Sequence, residues 1–196
     1  MRFYLLSCLG DANDDSLCVL YDSVDGIGLG DVGLHTGAQL GDKYPENAKI
    51  YMSKESPGVK LSSLLGNVKN FLIVSRAFKE VVEKLSREKV EYLPFTLCDH
   101  RKRVRSQDYF ILNPLGSLDC LDLKKSNIKW DQDDPTKIIR IREHVLDRKK
   151  VKDALPLFRI AQDPTAYVVG VELAREIYDR DFTNVIWTKL RFGDEV

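Results

Sequence analysis

The sequence lacks the short motifs by which many enzymes and metalloproteins are recognised. It contains no GxSxG and no P-loop pattern, and none of its 4 cysteines forms a CxxC pair. A zinc site needs three or four converging ligands. Cys98 and His100 lie close together, but the other histidines, His35 and His144, have no cysteine or histidine nearby. We therefore expect no metal site and no cofactor.

Long apolar runs and surplus charge are also missing. No segment approaches the ~18 apolar residues of a membrane span, and the apolar stretch before Cys8 is shorter than the ~7–15 residues of an export signal. The 30 Lys and Arg residues balance 30 Asp and Glu residues, whereas a general nucleic-acid binder usually carries a basic excess. These absences favour a cytoplasmic protein with no membrane partner, and they argue against nucleic acid as a partner.

The cysteines give no sign of a disulfide framework. An even number of cysteines permits disulfides, but a chain of 196 residues can bury a core without them. We expect four free thiols in a reducing compartment, with Cys120 as a small core residue between apolar neighbours.

Length and pattern together set the predicted architecture. With 196 residues, we predict a single domain over residues 1–196. The alternative is two lobes, an acidic N-terminal region with a glycine-rich loop over residues 1–66 and an α+β core over residues 67–196. The predicted fold class is α+β, with a largely antiparallel or mixed β-sheet and two short helices in strand–helix–strand units.

Two segments, residues 71–97 and 166–190, share the order strand, helix, strand. In the first, the apolar run FLIV precedes Ser75, which can cap a helix with one apolar face. The apolar face of the second predicted helix consists of Leu173, Ala174, Ile177 and Tyr178. The spacing in the two segments agrees, and both a diverged duplication and two unrelated units of a generic type explain it.

The N-terminal third has a weaker pattern. Strands are predicted over residues 2–9 and 17–24, with a polar turn at residues 11–15 between them. Six glycines fall within residues 26–41 without an apolar period, which predicts a long mobile loop. Leucines within residues 61–65 indicate one helical turn.

A GxGxxG match lies inside this glycine-rich stretch, at residues 28–33. A dinucleotide site needs a helix that begins at the motif, so that its amide groups meet the pyrophosphate. Two further glycines follow without an amphipathic pattern. We therefore expect no helix there and no nucleotide site.

The second half is predicted to be mostly β. Its strands are expected over residues 109–112, 118–123, 128–130, 138–141 and 155–160. The densest basic run is HRKRVR at residues 100–105, which we interpret as a solvated hairpin loop between Leu97 and Tyr109. The alternative is a phosphate-binding run.

Charge is unevenly distributed along the chain. Residues 1–50 hold eight acidic and three basic residues, and such polarity can steer a charged partner. The candidate partner-binding residues are Asp11, Asp14, Asp15, Asp25 and Asp31. The competing interpretation is a solvated acidic face with no partner.

Several segments, taken in order, resemble a known family. They are FLIVSRAFKEVVEK at residues 71–84, VEYLPF at 90–95, YFILNP at 109–114, LDCLDL at 118–123, LFR at 157–159, and the unit at 168–177. This order resembles the bacterial immunity proteins of polymorphic toxin systems, in the group numbered eleven among the predicted immunity families. The resemblance implies an α+β protein of the bacterial cytoplasm that binds and neutralises a cognate toxin without catalysis.

Two other hypotheses remain open from the residues alone. One is a small cytoplasmic enzyme built on Cys98 or a histidine. The other is a nucleic-acid or regulatory binding module that uses the basic residues 101–105.

Overall fold

The computed structural model describes residues 1–86 and 89–195 of the chain. Within these residues the fold is α+β, as predicted, with two four-stranded sheets and three α-helices. The strands are β1 Phe3–Leu6, β2 Val19–Leu20, β3 Lys49–Tyr51, β4 Gly66–Asn67, β5 Leu72–Ser75, β6 Val90–Cys98, β7 Val104–Pro114, β8 Asn127–Trp130, β9 Ile138–Glu143, β10 Val145–Leu146, β11 Leu157–Ile160, β12 Asp163–Gly170, β13 Trp187–Lys189 and β14 Arg191–Phe192. The helices are α1 Gly30–Thr36, α2 Arg76–Ser86 and α3 Val171–Asp179, and two short 3-10 turns lie at Gly41–Lys43 and Gly193–Glu195.

The two strand–helix–strand segments share one topology. Strands β5 and β6 both pair antiparallel with β7, which lies between them in a first sheet of order β3-β6-β7-β5. Strands β12 and β13 likewise both pair antiparallel with β1, in a second sheet of order β11-β12-β1-β13. Each helix therefore joins two parallel strands that are separated by a third. The duplication itself stays a prediction.

The core is layered around these two helices. Helices α2 and α3 pack against each other, and one apolar cluster joins Phe78 and Ile177 on the helices to Leu112 and Val169 on the two sheets. The other face of the first sheet packs on apolar residues of the N-terminal segment. The other face of the second sheet packs on residues from two segments, 120–151 and 190–192. None of the described helices has the length and apolarity to cross a membrane.

Residues 1–66 supply strands to both sheets. Strand β1 is a central strand of the second sheet, while β3 is an edge strand of the first and pairs parallel with β6. Strand β2 pairs parallel with β4, which begins at residue 66. The single domain and its alternative, a boundary near residue 66, stay predictions.

The prediction of a helix-free loop over residues 26–41 was wrong, because α1 lies within it. Its buried face is made partly of glycine. A Cβ atom on Gly30 would lie 2.9 Å from Ile27, and one on Gly33 would lie 2.6 Å from Leu40. Glycines that permit close packing carry no apolar period, so the pattern could not indicate this helix.

Several predicted boundaries were also wrong. Residues 61–65 form no helical turn, because the amide of Leu65 donates to Ile73 and the segment is extended beside β5. Residues 118–123 make only isolated bridges, at Leu118 and Leu121. The predicted strands at 2–9, 17–24 and 155–160 are shorter in the structure, as β1, β2 and β11. Tyr178 is 72% exposed and so does not belong to the apolar face of α3.

Candidate functional site

The acidic turn at residues 11–15 is organised by its own carboxylates. Oδ1 of Asp11 accepts a hydrogen bond from the amide of Asn13 at 2.9 Å, and Oδ1 of Asp14 accepts one from the amide of Ser16 at 3.0 Å. The hydrogen bond from the Ser16 hydroxyl is the main cause that lowers the pKa of Asp14. Oδ2 of Asp14 also lies 3.6 Å from Nζ of Lys60. Asp14 is therefore partly engaged within the protein.

Asp31 lies on α1, whereas Asp25 precedes this helix and contacts β3. Asp25 is exposed, and its carboxylate accepts a 3.5 Å hydrogen bond from the Tyr51 hydroxyl. The carboxylate of Asp31 accepts a hydrogen bond from the Ser23 hydroxyl and lies 3.9 Å from Nδ1 of His35. In the described part of the chain, no hydrogen bond or ion pair joins Asp25 or Asp31 to the turn at residues 11–15. The five candidate residues thus form two groups with separate contacts.

Helix α1 exposes two apolar side chains that the sequence analysis did not select. Leu29, at the start of the helix, is 90% exposed, and Val32 is 59% exposed. They are three residues apart, so they share one helix face, while Leu34 on another face is fully buried. The sequence carried no signal for them, because two apolar residues three positions apart do not predict exposure.

A buried arginine holds the C-terminal end of α1. Arg159 on β11 is 1% exposed, and its guanidinium lies 4.4 Å from the ring centre of Tyr167. Within residues 1–86 and 89–195, its hydrogen bonds go to uncharged oxygens. The acceptors are the carbonyls of Pro114 at 3.0 Å, Pro164 at 2.6 Å and Leu34 at 2.8 Å, and Oδ1 of Asn113 at 3.0 Å. The charge is therefore solvated by dipoles rather than by a carboxylate.

The chain that leaves α1 is fixed by further polar contacts. Gly37 has a φ of +74° and its carbonyl accepts the amide of Gly116 at 2.8 Å. The Glu91 carboxylate accepts the amides of Leu40 at 3.1 Å and Gly41 at 2.8 Å. On the helix itself, Nε2 of His35 lies 2.9 Å from the carbonyl of Lys69. Helix α1 is thus joined at several points to the rest of the fold.

The cysteines lie in apolar surroundings. All four are free and buried. Burial raises the pKa of Cys8 and of Cys120 to about 12, and that of Cys18 to about 11. These thiols remain protonated at neutral pH, so they are poor nucleophiles.

The structure does not place His100 or His144 in contact with a cysteine in the described part of the chain. Nε2 of His144 lies 3.0 Å from Oδ2 of Asp163, and this hydrogen bond is the main cause that lowers the pKa of Asp163. His100 is exposed, whereas Cys98 is buried. Among residues 1–86 and 89–195, no group of three or more His, Cys, Asp or Glu side chains is placed to hold a metal ion.

Residues 100–103 of the basic run lie in the turn of the β6–β7 hairpin, whereas Val104 and Arg105 begin β7. The predicted hairpin is confirmed, but its loop is shorter than the predicted one, because the strands reach Cys98 and Val104. Buried Asp99 organises this turn. Its carboxylate accepts hydrogen bonds from the amide of Arg101 at 2.8 Å and from the amide of Arg103 at 2.9 Å. It also accepts one from Nε of Arg103 at 2.8 Å. The backbone hydrogen bond from Arg103 is the main cause that lowers the pKa of Asp99 to about 2. Beside the turn, a cleft of about 440 Å³ is lined in part by Lys54, His100 and Arg101.

Comparison with known proteins agrees with the resemblance seen in the sequence. The model of the immunity protein family (Imm11) matches residues 2–191. No curated protein matches the chain at a significant level. The family match includes the N-terminal acidic region as well as both strand–helix–strand segments. The chain belongs to the immunity protein family (Imm11).

Proposed function

We propose that this protein binds a cognate toxin domain and neutralises it without catalysis, in the cytoplasm of a bacterium that carries a polymorphic toxin system. The observation that carries the proposal is the family match over residues 2–191. The buried, protonated thiols are consistent with a role in binding. Neutralisation by occupancy requires only a stable complex that covers the active site of the toxin or blocks its substrate.

The acidic N-terminal region is the proposed partner-binding surface. Residues 3–42 contain seven Asp and neither Lys nor Arg. A nuclease toxin would have a basic substrate groove, in which carboxylates take the positions of phosphates. A standard interface covers about 800 Å² per partner, so Asp11, Asp14, Asp15, Asp25 and Asp31 would form part of such an interface.

Four of these residues differ in how suitable they are for experiment. Asp15 and Asp25 are exposed, whereas Asp14 and Asp31 already accept hydrogen bonds from neighbouring serines. Substitution of Asp14 or Asp31 would disturb the local fold as well as the surface. Asp15 and Asp25 are therefore the cleaner positions for testing the charge of this surface.

The proposal is tested by co-expression with the toxin domain encoded by the adjacent reading frame. We expect the protein to restore growth of cells that make the toxin, and the two purified chains to elute together in size-exclusion chromatography. An exposed-surface control, the Glu172→Lys variant on α3, should rescue equally well. Growth arrest despite soluble protein, with no complex in vitro, would refute the proposed function.

A further inference from the structure

We propose that the cleft beside the β6–β7 turn binds a small organic phosphate, a phosphate monoester with an apolar body. The phosphate group would lie between Lys54 and Arg101, and the apolar body would contact Met52, Pro57 and Val59. This inference goes beyond the proposed function and does not depend on it.

The first support is the composition of the cleft. Its volume of about 440 Å³ lies within the range of small-molecule sites, about 300–1,000 Å³. Lys54, His100 and Arg101 supply two cations and an imidazole, and Ser53 and Ser56 supply hydroxyl groups. The other described residues that line the cleft are apolar, and none is acidic. Ammonium, guanidinium and hydroxyl donors are groups by which proteins bind phosphate.

The second support is that both cations are available to a ligand. Lys54 and Arg101 are exposed, and in the part of the chain that the structure describes no ion pair or hydrogen bond engages either side chain. The neighbouring Arg103, by contrast, lies 2.8 Å from a carboxylate oxygen of Asp99. Two positive charges that share a cleft without a carboxylate attract an anion into it.

The third support is the rigid frame of the cleft. Its walls are the segment that follows β3 and the turn that follows β6. The amide of Met52 donates a 2.8 Å hydrogen bond to the carbonyl of Cys98, which joins the two walls. Asp99 accepts the amide of Arg101 at 2.8 Å and so fixes the backbone that carries this cation. A site that is held in place before binding loses little conformational entropy when the ligand enters.

Acidic residues near the cleft favour a small ligand over a nucleic acid. Glu55 is exposed and follows Lys54 in the chain, but it does not line the cleft. In the same segment, Gly58 lies against the acidic turn, since a Cβ on Gly58 would be 2.8 Å from the carbonyl of Asp15. These acids would repel an extended polyanion, whereas a single phosphate would meet the cations inside the cleft.

The test is isothermal titration calorimetry of the purified protein at fixed ionic strength. We expect phenyl phosphate to bind at one site per chain, about tenfold more tightly than inorganic phosphate, because only the ester can bury an apolar group. The double variant Lys54→Gln, Arg101→Gln should weaken this binding at least about tenfold. Both side chains are exposed, so the Tm of this variant should stay within about 2 °C of wild type.

The matched control is the double variant Lys129→Gln, Arg140→Gln. It makes the same change in net charge at two exposed cations of the β8–β9 hairpin, which do not line the cleft. Its affinity for phenyl phosphate should stay within about twofold of wild type.

Three outcomes would overturn the proposal. Absence of binding up to about 10 mM phenyl phosphate, or equal binding by wild type and the variant at Lys54 and Arg101, would show that the cleft is not such a site. Equal affinity for inorganic phosphate would show that the apolar residues contribute nothing. Tighter binding of a single-stranded oligonucleotide, lost in the same double variant, would assign the cleft to nucleic acid instead. None of these results bears on neutralisation of the toxin.

Discussion

Nη2 of Arg159 donates a 2.8 Å hydrogen bond to the backbone carbonyl of Leu34, which ties the second sheet to the end of α1. The same guanidinium donates to the carbonyls of Pro114 and Pro164. Three segments that are distant in sequence thus meet at one buried cation. Because loss of the guanidinium would remove a donor from the buried contacts with Leu34 and Pro114, these hydrogen bonds affect the stability of the fold as well as the position of α1.

The first prediction concerns this cation. In Arg159→Lys the charge remains, but an ammonium group has three donors and no planar fork, so at least one of the present acceptors loses its partner. We expect the free energy of unfolding to fall by about 2–4 kcal/mol, measured by urea denaturation. Arg175→Lys on the exposed side of α3 is the control and should change it by less than about 0.5 kcal/mol. Equal stability of the two variants would contradict the role assigned to Arg159.

The second prediction separates backbone strain from lack of space. Gly37 and Gly26 have nearly the same φ, +74° and +76°, but a Cβ on Gly37 would lie 2.8 Å from the Pro114 carbonyl, whereas one on Gly26 would meet nothing within 4 Å. Gly26→Ala should cost about 1 kcal/mol from strain alone. Gly37→Ala should cost at least about 2 kcal/mol, because the chain after α1 must also move. Thermal unfolding of both variants measures the two losses of stability. Equal losses would show that the chain around Gly37 has room for a Cβ atom.

The third prediction is a pH dependence that arises from Asp99. Its pKa is lowered from 3.8 to about 2 in the folded protein. A group with a lowered folded pKa stabilises the fold above its unfolded pKa, and this stabilisation is lost as pH falls through the folded pKa. The difference in the free energy of unfolding between wild type and Asp99→Asn should therefore be largest above about pH 4 and should shrink as the pH falls toward about 2. Chemical denaturation at several pH values measures it, and a gap that does not change with pH would contradict the ionic role of Asp99.

The fourth prediction concerns electrostatic steering. The double variant Asp15→Lys, Asp25→Lys reverses two exposed charges of the proposed surface. It should slow association with the toxin by about tenfold at low ionic strength, and the difference should disappear at high salt. The variant Glu80→Lys, Glu172→Lys makes the same change in net charge on the exposed sides of α2 and α3. Similar association rates for the two double variants would remove the acidic region from the interface.

Particular residues show how far the sequence could predict this structure. The unit at residues 71–97 was predictable because its strand and helix carry clear apolar periods, and Phe78, Val81 and Val82 are buried as that pattern requires. Helix α1 was missed because Gly30 and Gly33 form part of its packed face, and glycine gives no hydrophobic signal.

The candidate site was predicted only in part. The uneven charge indicated the acidic region, but Leu29 and Val32 are ordinary apolar residues until the structure shows that they are exposed. Arg159 left a visible signal, a single charge inside the apolar run LFRI. Its hydrogen bonds to Leu34, Pro114 and Pro164 depend on long-range contacts that no local pattern encodes.

The central claim is that this protein neutralises its partner by occupying it. The most direct measurement is a titration of the residual activity of the toxin domain from the adjacent reading frame against added protein, read at several times. We predict that activity falls linearly to zero at one equivalent and does not change further with time. Progressive inactivation at ratios far below one equivalent would show turnover, and full activity in the presence of excess protein would show that no inhibitory complex forms. Either result would contradict the account.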